Sequence, residues 1–582
     1  MKINLLYITL VVAGFFAFLL IPFISPHELK PDHLFDTIED EQVASEMENR
    51  LRPVIGEQVN SFKLQRAILT AIELTNQSII SRYGLTETQV DSVLMLMNSN
   101  MLDQAAIDKL LTGVQNEFQL NSFNTYGNWL YGKDFTNQEA AQTALNEVLG
   151  NIELYEITPK YGIDRYEKKR IKYALSIVSV TGLPPENPWL FNFLTYGLII
   201  LGSLGLSLSL LKKPAGIDNT NVFTNPATSR KWVGIIIGSF LILFYLFLYF
   251  RPEYMSAWIV MANPLSYMLS GNPAGQFFLY GFLYTLAVLV MGVRMIIKYR
   301  FSRYQIIRTL SVMFFQLCFA FLVPEILVRL NQPYFDFKNI WPLDYDFFFD
   351  FEIAKLINSG QIGIFMFIWG ITLTIIAVPI FTYFYGKRWY CSWVCGCGGL
   401  AETLGDPFRH LSDKSVKAWY FEQGSIYSVL VFAIIMTAAV LYTYFTGNST
   451  ILGVNTYSLR EVYGVFIGAG FAGVVGTGFY PFMGNRVWCR FGCPLAAYMG
   501  IIQRFKSRFR ITTNGGQCIS CGNCSTYCEM GIDVRSYAQR GENIVRASCV
   551  GCGICETVCP RGVLKLENAD SNSRFEPNGY IK

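Results

Sequence analysis

The sequence predicts a polytopic α-helical membrane protein with an exported helical domain and a small, cysteine-rich C-terminal domain. Three observations carry this. Of 582 residues, 52% are hydrophobic and 15% charged, and the mean hydropathy is +0.31. That is too apolar for a soluble enzyme or a disordered chain. The apolar residues gather into about eight stretches of spanning length. None of the fourteen cysteines precedes Cys318, and thirteen follow residue 390. A disulfide scaffold would spread them through an exported region, so their crowding points to metal. The three histidines (His27, His33 and His410) exclude sites that need many imidazoles.

The first element, 5–24, is an apolar run behind one lysine, long enough to cross the hydrocarbon. Ile21-Pro22-Phe23-Ile24-Ser25 lacks a small-residue cleavage pattern, so 1–25 reads as an uncleaved anchor. Further spans are expected at 189–211, 232–250, 279–298, 308–328, 361–384, 424–446 and 461–483. The stretch 256–270, broken at Asn263-Pro264, reads as re-entrant or interfacial. Lys212, Lys213, Arg230, Lys231, Arg300, Arg303 and Arg308 fall on the side of the N-terminus. The tail after 484 falls on that side too, with 13 basic and 7 acidic residues, whereas 26–188 holds 14 basic and 23 acidic. By the positive-inside rule the tail is cytoplasmic and 26–188 periplasmic, in a bacterial inner membrane.

The segment 26–188 reads as helical. Thr136-Asn137-Gln138-Glu139 has capping-box spacing ahead of 140–149, and 86–99 and 102–120 repeat apolar residues every three or four positions. It carries no flavin-attachment sequence, C-x-x-C-H haem signal or phosphate loop, so it is expected to dock a partner or to sense.

Two runs decide the chemistry: Cys518-x2-Cys521-x2-Cys524-x3-Cys528, and Cys549-x2-Cys552-x2-Cys555-x3-Cys559 followed by Pro560. The offset is 31 residues throughout, an internal duplication. Three thiolates two residues apart wrap one cubane, and the fourth reaches the other. This spacing predicts a bacterial-type 2[4Fe–4S] ferredoxin domain over 516–567. One cluster takes Cys518, Cys521, Cys524 and Cys559; the other takes Cys549, Cys552, Cys555 and Cys528. Gly522, Gly551 and Gly553 are expected to let the backbone turn round sulfur. Glu529 stands where a proline often follows the fourth cysteine, and its charge is expected to lower that cluster's potential.

The run Arg486-Val487-Trp488-Cys489-Arg490-Phe491-Gly492-Cys493-Pro494-Leu495, followed by a basic linker and the ferredoxin pair, resembles the membrane-bound polyferredoxins. These are the NapH-type quinol-oxidation subunits, the NosR-type proteins of nitrous oxide respiration and the oxidase-assembly polyferredoxins. The resemblance covers about 361–567. It implies a C-x3-C-P motif after each of two spans. The second is intact at Cys489, Cys493 and Pro494; in the first, Cys391-Ser392-Trp393-Val394-Cys395, Gly396 replaces proline and Cys397 follows. If paired, Cys391, Cys395, Cys489 and Cys493 offer four thiolates for a further cluster or metal, or redox-active thiol pairs. Packed structural thiols are the bland alternative.

Basic and aromatic residues alternate over 503–511, which reads as a lipid-headgroup anchor rather than a nucleic-acid site. Glu325 and Arg329 have the spacing of a helical ion pair, and Glu325 is a candidate proton or quinone site. Arg294 is expected to snorkel. The acidic, aromatic strip 334–350 is a candidate quinone mouth or periplasmic docking face. The domain reading is anchor 1–25, exported domain 26–188, membrane domain 189–483, second motif and linker 484–515, ferredoxin 516–567 and tail 568–582. The expected function is electron transfer between a cytoplasmic donor or the quinone pool and respiratory subunits on the membrane, through two [4Fe–4S] clusters. A maturation factor and a redox-sensing regulator are the alternatives.

Overall fold

A computed structural model describes residues 2–99, 102–111, 117–135, 137–218 and 222–568. The chain divides into two compact units.

One unit comprises Leu20–Asn187 and Pro252–Val260. Its helices include Glu41–Leu51, Ser61–Tyr83, Glu87–Asn98, Gln138–Ile152 and Arg165–Val178. They exist because apolar residues recur on one side of each: Met47, Leu64, Ile68, Leu145 and Ile171 form one shared core. Short polar side chains start them. Asp40, Asn60 and Asn137 accept the backbone N–H groups of Gln42, Lys63 and Ala140, each at 2.8 Å. Asn137 is therefore the cap of the helix read from the 136–139 motif; Thr136 lies outside the described residues. The Lys172–Glu253 ion pair, 2.6 Å and buried, ties 252–260 to this unit.

The other unit comprises Met1–Leu19, Pro188–Arg251 and Met261–Lys582. Among the described residues, eight helices are long and apolar enough to cross a membrane: Asn4–Phe23, Pro188–Lys212, Trp232–Phe250, Gln276–Lys298, Arg303–Arg329, Gly360–Tyr385, Val416–Thr446 and Thr456–Gly478. They are called here the first to eighth spans. The eighth lies about five residues before its expected position, because Pro481 and Gly484 (φ +93°) break the chain there.

The chain after the sixth span and the chain after the eighth are built alike. Each turns at a glycine of positive φ, Gly386 or Gly484, and makes a short helix, Arg388–Cys391 or Val487–Phe491. Each then starts a second helix on a cysteine, Cys395 before Gly396–Thr403 and Cys493 before Pro494–Lys506. The first copy climbs back into the bundle. Ser311 donates to the Trp393 carbonyl at 2.9 Å, and a Cβ on Gly396 would meet Gln316 Oε1 at 2.8 Å. Gln316 is thirteen residues into the fifth span, about 20 Å along a helix. The motif thus lies within the bundle, deeper than the interfacial position expected of a sequence that follows a span. The tail closes with an antiparallel pair, Phe509–Thr513 against Leu564–Asn568, in the register Ile511 to Leu566.

Candidate metal centres

The two C-x3-C motifs meet. Cys391, Cys395, Cys397, Cys489 and Cys493 line one small enclosed pocket, walled by Leu343, Tyr390, Trp488 and Met499. Cys391, Cys395, Cys489 and Cys493 are each 5–7% exposed. Burial pushes the Cys391 thiol up to about 12 and raises those of Cys489 and Cys493. Cys395 goes the other way, chiefly because Cys397 hydrogen-bonds to its sulfur. Arg486 Nη1 donates to Cys489 Sγ at 3.6 Å and to the Cys391 carbonyl at 3.1 Å. Lys387 and Lys338 supply further positive charge near Cys391 and Cys395. Four soft donors, ringed by cations and closed to water, fit a thiolate-bound metal or cluster.

In the tail, Cys518, Cys521, Cys524 and Cys559 line a second pocket. Cys552, Cys549, Cys528 and then Cys524 are the neighbouring thiols of Cys555. Gly522, Gly551 and Gly553 all have positive φ. At Gly553 space matters as well, since a Cβ would meet the Tyr304 ring at 2.7 Å.

The thiol pocket adjoins the second cysteine run. Ser392, next to Cys391, donates to the carbonyl of Val550, next to Cys549, at 2.8 Å. Gln503 donates to the Cys549 carbonyl at 2.7 Å, and Gln305 to that of Cys552 at 3.0 Å.

The 4Fe-4S dicluster domain family matches residues 517–564, and the 4Fe-4S binding domain family matches 366–415 and 464–512. These ranges contain the tail runs and both C-x3-C motifs. A relative named "Putative electron transport protein YccM", from Escherichia coli (strain K12), is 29% identical over 162 residues. That is 26% of this chain and 44% of the relative, so the match spans less than half of the relative's length. The chain therefore carries 4Fe-4S binding domains in its tail and around both C-x3-C motifs. No solved structure matches it.

Around its cysteines the iron–sulfur protein carries a buried charge network that the sequence reading missed. Glu402 pairs with Arg308 at 2.5 Å, with Arg486 at 2.6 Å, and with Arg409. Asp406 pairs with Lys298 at 2.7 Å, Arg409 at 2.9 Å and Arg294 at 3.0 Å. Glu529 pairs with Arg409 at 2.6 Å and Arg486 at 3.1 Å. Burial alone would raise the carboxyls of Glu402 and Asp406, yet their cations hold both well below the usual range. The sequence shows Glu402, Asp406 and Arg409 soon after the first motif, but not the distant charges that meet them.

This network corrects several expectations. Glu529 is not a bare charge beside Cys528: two guanidinium groups pair with it. It ties the tail to Arg409 and Arg486. Arg294 pairs with Asp406 instead of snorkelling. Arg329 donates to the Met268 carbonyl rather than to Glu325, which is buried with Tyr334 nearby. In the basic linker Phe509 and Arg510 are buried in the β-pair, and only Arg504, Phe505 and Lys506 remain exposed to meet lipid. In the aromatic strip Phe335, Phe347 and Phe349 point into the core, while Asp336 pairs with Lys338 and Asp350 with Arg460. Tyr334 of the strip is exposed, and Asp344, Tyr345 and Asp346 are half-buried.

Proposed function

We propose that the protein is a membrane electron carrier with three metal centres in series. Cys518, Cys521, Cys524 and Cys559 hold the outermost [4Fe–4S] cluster, and Cys549, Cys552, Cys555 and Cys528 hold the next. Cys391, Cys395, Cys489 and Cys493 hold a third centre inside the bundle. Such centres supply one-electron chemistry, and the chain supplies ligands, insulation and charge balance. The observation that carries the reading is the meeting of both C-x3-C motifs in one pocket, joined to the second cysteine run through Ser392–Val550. Cys521 is exposed at the far end of the series, where a soluble donor reaches it. On the positive-inside argument this end is cytoplasmic, in a bacterial inner membrane, and the quinone pool or a respiratory partner exchanges electrons with the buried end.

Iron and acid-labile sulfide counts on anaerobically purified protein test this. Three cubanes give about twelve irons per chain, and Cys391→Ala with Cys489→Ala lowers the count to about eight while the ferredoxin EPR signals persist. A parent count of eight, with the four inner cysteines forming reversible disulfides, would instead favour thiol chemistry of the maturation kind.

A further inference from the structure

A cavity of ≈ 290 Å³ lies among the first four spans and touches the helix that follows the first motif. None of the site residues described above lines it. Its walls are almost wholly apolar, with Phe15, Phe240 and Leu283 typical of them, and Leu400 and Leu404 of the 396–411 segment close one end. The volume is that of a small-ligand site. Many wall residues are only half-buried, so it is not sealed from lipid.

Two features separate it from a packing defect filled by an acyl chain. First, Tyr196 lines it, is 4% exposed, and has a hydroxyl with no hydrogen-bond partner among the described residues. A buried hydroxyl left unpaired is destabilising, and an acyl chain has nothing to offer it. A ligand carrying a carbonyl or hydroxyl oxygen does. Second, one wall residue of the cavity borders the segment that carries the first motif. Tyr284 lines it, and the ring of Tyr284 stands 3.8 Å from a Cβ placed on Gly396, the residue between Cys395 and Cys397. Tyr280 lies beside Tyr284 at 5.5 Å between ring centres, and Tyr245 beside Tyr280 at 6.1 Å, all three lining the same space. Gly396 stands where a proline would fill this approach.

We infer that this cavity binds the ring of an isoprenoid quinone, with Tyr196 as its hydrogen-bond partner and Tyr284 between the ring and the inner thiol centre. The inference rests on the electron-carrier reading above and names the membrane-soluble carrier it serves. Exchange there balances simply. A quinol gives up two electrons, one to each of two iron–sulfur centres, and two protons to solvent, and becomes a quinone; the reverse reaction consumes the same.

The test uses the full-length holoprotein in lipid nanodiscs with a short-tailed menaquinone, a photoreactive azidoquinone and the corresponding quinol. The azidoquinone is expected to label peptides of the second or fourth span. Ala287→Phe, which fills the cavity, should abolish labelling and quinol-driven cluster reduction, while dithionite reduces every cluster as in the parent. Tyr196→Phe should weaken quinone binding about tenfold, the loss expected of one hydrogen bond. Unchanged labelling and quinol reduction in Ala287→Phe, or extraction of phospholipid only from the purified parent, overturns the site. An absence of clusters from the parent is a different failure, that of the electron-carrier reading, and the iron count identifies it.

Discussion

Arg486 is the side chain through which the two kinds of cysteine motif meet. One nitrogen faces Cys489 and the Cys391 carbonyl, and the others face Glu402 and Glu529, the latter adjoining Cys528. The planar fork makes these contacts together, and an ammonium cannot. Arg486→Lys keeps the charge and loses the geometry, so it should lower stability by about 3 kcal/mol, as breaking a buried pair does. It should also shift the potentials of the inner centre and the second ferredoxin cluster together. A detergent unfolding curve and an EPR redox titration check both; a shift confined to one centre would deny the bridging role. His27 makes a pH prediction in the other unit. It is buried against Ser179 Oγ at 3.0 Å, and burial depresses it from 6.5 to about 4. The unfolded chain therefore takes up a proton that the folded chain refuses. Stability is complete above pH 6.5 and falls as pH drops toward 4, by up to about 3 kcal/mol. His27→Gln should flatten that slope between pH 6.5 and 4 in thermal melts.

Among elements, the segment 396–411 separates what the sequence could reveal from what it could not. Eight apolar spans were legible because hydropathy along the chain is a local property, and the ends differ by at most eight residues, at Val416. The cysteine runs were legible because ligand spacing is local too. Depth is not local: Gly396, Gly399 and Leu400 read as a loop after a span, yet they fold back beside Gln316 and Val312. Nor does spacing reveal that Glu402, Asp406 and Arg409 face charges from Arg308, Lys298, Arg486 and Glu529, up to 120 residues away. Such a network is costly to break because each ion left behind is buried. Glu402→Gln leaves three guanidinium groups sharing less negative charge and should cost about 3–5 kcal/mol. Adding Arg308→Met should recover part of that loss, since one unmatched cation goes with it. A double-mutant cycle by chemical denaturation measures this, and strict additivity would show that the two side chains do not interact.

For the molecule as a whole, the question is whether the ferredoxin tail is a tethered module or part of the membrane body. The tail falls in the same compact unit as the spans. Tyr304 donates to the Gly551 carbonyl at 2.8 Å, Ser412 to that of Glu529 at 2.8 Å, and Arg388 to Asn568 at 2.8 Å. Glu529 adds two buried ion pairs. A linker that only held the tail near lipid would need none of these. Electron transfer falls steeply with distance, so a fixed contact serves it where a swinging tether does not. A protease site inserted between Phe505 and Lys506, where the side chains are exposed, tests this by cutting the connection. The cut tail should stay with the membrane fraction through salt washing, because buried pairs are screened far less than surface ones. Glu529→Ala removes both ion pairs and leaves Arg409 and Arg486 facing an apolar gap, so after cutting, the tail should appear in the soluble fraction with its iron retained. Release of the tail from the cut parent would make the linker the main attachment. Retention in Glu529→Ala would move the hold to the backbone hydrogen bonds of residues 549–552.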